Sequence, residues 1–201
     1  MDAQELQKAL DEMRSCIRRD VAGGFLSEDE IRTGVVELLA DNYGASELEP
    51  YAKQMAHEEM ESHFREELTW PEVTDCDRLD GAFTDLEHSG IVARQNFSCC
   101  GNCGSGEIWD EMETASKRGL RVRGYIFYHM QDTEAATEGR GVYLNYGAVQ
   151  EGETAALEIA KEVVATIQRH GLAVEWDGTW KKRIGVQLEW KTKKTEMTVL
   201  A

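Results

Sequence analysis

The chain has 201 residues, 41% of them hydrophobic and 30% charged, which is enough to bury a sizeable core and is not the composition of a disordered segment. Its 22 Lys and Arg stand against 38 Asp and Glu, a formal charge of −16 that repels polyanions and argues against nucleic acid and anionic membrane as partners. No apolar run approaches the ~20 residues that cross a bilayer, and five cysteines, two of them isolated at Cys16 and Cys76, do not make a secreted disulfide framework.

The first part reads as helices. Leu6, Leu10, Met13, Ile17 and Val21 recur at three- and four-residue steps, and Gly23-Gly24 ends that helix. Ser27 with Glu30 forms a capping box, and Ile31, Val35, Leu38 and Leu39 carry the second helix. Ser46 with Glu49 caps a third, with Leu48, Tyr51, Met55 and Leu68 inward, stopped near Pro71. Thr74 opens a fourth, with Leu79, Phe83 and Leu86 inward and Gly90 at its end.

Strands and helices then alternate. Strands are expected over 91–97, 122–129, 141–146, 172–176 and 184–190, the last from the alternation of Ile184, Val186, Leu188 and Trp190. Helices are expected over 105–118, capped by Ser105, and over 154–170, with Leu157, Ala160, Val163, Val164 and Ile167 on one face. The segment 131–140 reads as a polar loop. The expected fold class is α+β: a helical region over 1–72, then an α+β domain over 73–201. In that domain a βαββαββ mixed sheet carries helices on one face.

The most unusual segment is Cys99-Cys100-Gly101-Asn102-Cys103. A two-residue gap between Cys100 and Cys103 is a zinc-knuckle spacing, and zinc takes four ligands. If residues 91–129 form a βαβ crossover, its strands are parallel and their C-terminal ends share one edge. Cys99 and Cys100 end the first strand and His129 ends the second. The candidate metal set is therefore Cys99, Cys100, Cys103 and His129, with Asp132 beside it and His88 and Cys76 as weaker alternatives. A second chemistry fits the same residues. A CxxC that follows a strand and opens a helix is a thiol-redox context, because helix amides stabilise a thiolate. Against a thioredoxin fold stand the only two prolines, Pro50 and Pro71, both upstream of the cysteines. A third reading leaves the thiols as packing residues only.

Other patterns are weak. His57 and His63 are six apart and so fall on different helix faces, unlike a zinc-protease pair. Neither Gly104-Ser105-Gly106 nor Gly139-Arg140-Gly141 matches a phosphate loop. Trp180 lies near a turn and is a candidate contact residue.

The runs 93–104 (with the cysteines), 123–129 and 131–134, 143–147 and 171–178 together resemble a bacterial family of proteins of about this length, known only as a domain of unknown function. The resemblance covers about half the chain, from Ile91 onward. It implies an uncharacterised protein and supplies no catalytic residues. The sequence leaves open whether the protein is an enzyme. The favoured expectation is a cytoplasmic, non-enzymatic binding protein with a zinc-binding cysteine loop and a basic protein partner. The alternative is a thiol-dependent oxidoreductase or redox sensor using Cys100 and Cys103.

Overall fold

Residues 2–193 are described by the computed structural model. Hydrophobic spacing sets the N-terminal helices. In α1 (Ala3–Gly23) the buried residues Ala9, Met13, Ile17 and Val21 recur every four positions, and an Asp2–Glu5 capping box satisfies the first amides. In α2 (Glu28–Tyr43) the Ser27–Glu30 box is formed as the sequence predicts. Its inward residues are Ile31, Val35, Val36 and Leu39, whereas Leu38 is 60% exposed. The third helix, α3 (Ala45–Glu67), begins one residue before the expected Ser46 cap and has no side-chain cap bond. Leu48, Ala52, Met55 and Ala56 join the α1 and α2 residues in one core, while Leu68 lies past the helix end and is exposed. The two α3 histidines diverge as their spacing requires: His57 is exposed and His63 buried.

The chain divides into two compact units. One holds the described residues of Met1–Glu72 and Lys191–Ala201, and the other is Val73–Trp190. The second unit opens with α4 (Asp75–His88), capped by reciprocal bonds between Thr74 and Asp77. Gly90 turns the chain out of α4 at φ +89°, with the Arg121 carbonyl against the position a side chain would take. There follow β1 (Ile91–Arg94), α5 (Gly101–Lys117), β2 (Gly124–Phe127), α6 (Met130–Thr137), β3 (Val142–Ala148), α7 (Glu153–Arg169), β4 (Ala173–Glu175) and β5 (Ile184–Gln187). The sheet order is β1-β2-β3-β5-β4. The β1–β2 pair is parallel and the other pairs are antiparallel. The fold is α+β, as the switch from helical to two-residue periodicity predicts.

Alternation along the strands sorts the two faces. Ile91, Ala93, Ile126, Val142, Leu144, Tyr146, Ile184 and Val186 pack with Leu79, Phe83 and Leu86 of α4 and Ile159, Ala160, Val163 and Ile167 of α7. Val92 and Phe127 point the other way and pack with Ile108, Met112 and Ala115 of α5. The expectation of helices on one face thus describes α4 and α7, whereas α5 lies on the opposite face. The reason is that the β1–β2 end of the sheet is apolar on both sides and needs cover on both. Burying a side chain such as Phe127 contributes about 1.5–3 kcal/mol. Further along, the second face carries Tyr143, Asn145 and Gly185, in register with one another or with Phe127. Several boundaries depart from the sequence reading; the strand expected over 184–190, for example, ends at Gln187. The segment 131–140, expected as a polar loop, is largely occupied by α6, which begins at Met130, and the strand expected over 91–97 ends at Arg94. Among the described residues no helix is long and apolar enough to cross a membrane.

Candidate functional site

The cysteine loop is shaped by its anchors. After β1, Asn96 and Ser98 adopt left-handed backbone at φ 49° and 63°. Such a conformation costs a residue with a Cβ about 1–2 kcal/mol. It is held by backbone bonds from Phe97 N–H to the Tyr128 carbonyl (2.8 Å) and from Met130 N–H to the Ser98 carbonyl (3.1 Å). The Thr133 hydroxyl adds a bond to the Asn96 side chain at 2.8 Å. The chain leading to Cys99 is thereby laced to the end of β2 and the start of α6.

Cys100 is the extended N-cap residue of α5, and Gly101, Asn102, Cys103 and Gly104 make its first turn. The helix therefore begins four residues before the expected Ser105. Gly104 makes this possible: a Cβ there would lie 2.5 Å from Cε2 of Phe127, so only glycine lets α5 settle on β2. The sulfurs of Cys99, Cys100 and Cys103 all lie within 4.8 Å of one another. All three cysteines are free, with Cys99 and Cys103 exposed and Cys100 half-buried.

Their proton affinities differ. Cys100 makes no side-chain cap hydrogen bond, but the amide of Cys103 acts on its sulfur. That amide, then the Cys103 thiol and the Asn102 amide, hold the Cys100 thiol below its ordinary range. The Cys103 thiol is pushed up to about 11, because it serves as hydrogen-bond partner to Cys99 and Cys100 and faces their developing charge. Three thiols this close, with one poised to ionise, can share a soft metal ion or exchange disulfides.

His129 sits against the same turn, its Cδ2 3.6 Å from where a Gly101 side chain would begin. Its Nε2 lies 3.7 Å from the same point, but both ring nitrogens already have partners. His129 is the N-cap of α6, with Nδ1 accepting the Asp132 amide at 3.3 Å while the Asp132 carboxylate accepts the His129 amide at 3.2 Å. Nε2 lies 3.1 Å from the Asp132 carboxylate and 3.1 Å from an Arg183 guanidinium nitrogen. The sulfurs form one group and His129, Asp132 and Arg183 a second beside it. Of the weaker candidates, Cys76 is buried in α4 and His88 is exposed at its end.

Arg183 and Asn145 are the site residues that sequence reasoning missed. Arg183 Nη1 bonds Asp132 at 3.0 Å and the Tyr143 carbonyl at 3.2 Å, and its guanidinium lies 5.3 Å from the centre of the Tyr143 ring. Asn145 has its side-chain oxygen 3.8 Å from the Gly101 position and a buried amide nitrogen with no partner among the described residues. Neither shows a sequence signal, since Asn145 is brought there by the pairing of β3 with β2 and Arg183 by the turn before β5. The His129–Asp132 spacing is a capping-box spacing and marks α6, though histidine is an uncommon cap.

These features define an α+β protein with an exposed thiol cluster at a helix start. Its family is one described as Domain of unknown function (DUF6891), to which the chain belongs, with residues 6–194 matched. The match extends the resemblance from the sheet region through the helices. No curated protein and no solved structure matches the chain.

Proposed function

We propose that this is a binding protein whose cysteine loop holds a soft divalent cation, zinc, through Cys99, Cys100 and Cys103. The observation that carries the reading is the mutual approach of three sulfurs within 4.8 Å on an exposed turn. Zinc–sulfur bonds of about 2.3 Å place two thiolates on one tetrahedral ion about 3.8 Å apart, so small side-chain rotations complete the set. Three protein ligands leave a fourth position for water or an external ligand. His129 joins as the fourth ligand only by giving up the α6 cap or its contact with Asp132 and Arg183. The free thiols suit a reducing compartment, the cytoplasm, and the charge of −16 suits a basic protein partner. The test is metal content by mass spectrometry on protein purified without chelator or histidine tag, alongside Cys100→Ser and Cys103→Ser. One zinc per chain, lost in both variants, supports the reading. Metal-free protein that gains no stability from added zinc overturns it.

The opposed proton affinities of Cys100 and Cys103 favour a second reading, a dithiol redox site. The Cys100 thiolate attacks a substrate disulfide and releases one thiolate. Cys103 then attacks the mixed disulfide, releasing the second thiol and leaving a Cys100–Cys103 disulfide. Reduction of a small disulfide, abolished in Cys100→Ser, distinguishes it from zinc binding.

A further inference from the structure

We propose that the groove beside the first turns of α5 binds a small anion that presents carboxylate or phosphate oxygens. The groove encloses about 230 Å³ and is lined by Ser105, Asn145, Trp180, Lys181, Lys182 and Arg183, among others. Three features point to this ligand class. The first is charge: in a chain of net charge −16, three consecutive cations converge on one small hollow. Lys181 and Lys182 form no ion pair within 4 Å among the described residues, although Asp177 lies close enough to act on Lys182. Arg183 is held in place by Asp132 and the Tyr143 carbonyl, both through Nη1.

The second feature is Asn145, one of the lining residues. Its amide nitrogen is buried and donates to nothing among the described residues. A buried donor without a partner is rare in folded proteins, and a turn of the Asn145 side chain toward the groove would let a ligand oxygen satisfy it. The third feature is size. The hollow is smaller than the roughly 300–1,000 Å³ of sites for drug-sized ligands, so it suits a phosphate or a short dicarboxylate. Hydroxyl and amide donors with cations recognise oxyanions through charge-assisted hydrogen bonds. The thiols are not among the lining residues, so this proposal stands apart from the zinc and redox readings.

The test is titration of the full chain, followed by two-dimensional amide NMR, with inorganic phosphate and separately with succinate at constant ionic strength. Saturable shifts at 145 and 180–183 are expected with at least one of the two, and which one responds identifies the oxyanion. Asn145→Asp, which sets a carboxylate in place of the donor, and the double variant Lys181→Ala/Lys182→Ala should each weaken binding at least about tenfold. The control Lys117→Ala/Lys161→Ala, which removes two exposed cations elsewhere, should leave binding unchanged. Should Asn145→Asp fail to fold, the exposed lysine pair decides alone. Absence of saturable shifts with both anions, or equal weakening in the control, overturns the proposal.

Discussion

The sulfurs of Cys100 and Cys103 lie within 4.8 Å of each other, and the two thiols, three residues apart at the start of α5, are driven in opposite directions. Helix amides favour the thiolate of Cys100. Cys103 instead donates to its neighbours and is pushed up to about 11. Alkylation by iodoacetamide, followed by mass spectrometry as pH is raised, should therefore label Cys100 first, with a midpoint below the ordinary thiol range. Within the loop, Cys103 should be labelled after Cys100 and only at higher pH. Equal labelling profiles would show that the α5 amides do not reach the Cys100 sulfur.

Zinc binding should depend steeply on pH. Thiolate is the ligand, so each thiol that is protonated in the metal-free protein must release its proton on binding. Cys103 is protonated throughout the neutral range. Affinity measured by competition with a chromogenic chelator should rise about tenfold per pH unit for each proton released between pH 6 and 8. A flat profile would mean that the thiols are not the ligands.

Gly104→Ala should destabilise the protein despite alanine being the better helix former. The propensity gain is about 1 kcal/mol. The added Cβ meets Cε2 of Phe127 at 2.5 Å and Cζ at 2.9 Å, and Phe127 is completely buried. Overpacking of that kind costs about 1–3 kcal/mol, so the clash prevails unless α5 shifts. Urea denaturation should show a lower midpoint with unchanged slope. A midpoint equal to or above that of the parent would place α5 further from β2 than described.

His129 predicts a mild-acid loss of stability. Burial holds its imidazole below the ordinary range; Asp132 opposes this and Arg183 reinforces it. The unfolded chain then takes up a proton at higher pH than the folded one, so stability rises with pH across that interval. The contribution is complete above the ordinary value of about 6.5 and is lost as pH falls from there to the lower folded value. Below the folded value it changes no further. Thermal melts from pH 7.5 to 5 should show this slope, and His129→Asn, which keeps a good N-cap side chain, should flatten it. An identical slope in the variant would assign the effect to other groups.

The sequence by itself determined the helices with local signals. Capping boxes at Ser27–Glu30 and Thr74–Asp77, and the run of Met13, Ile17 and Val21, act over three or four residues and need nothing from the rest of the chain. The parallel pairing of β1 with β2 was legible as well, because the long connection through α5 allows a crossover, whereas β2 and β3, joined through the shorter α6, pair antiparallel. The cysteine loop was legible as a cluster for the same local reason. Tertiary structure decided what that cluster faces. Cysteine and glycine are poor signals of a helix start, so α5 begins at Gly101 only because Gly104 fits against Phe127, 23 residues away (127 − 104). His129 reads as the end of a strand, but Asp132 and Arg183 fix it as the cap of α6. Asn145 and Arg183 reach the loop through β3 and the turn before β5. Contacts set by strand register across 40 to 80 residues leave no period in the sequence, which is why the helices were readable and the surroundings of the site were not.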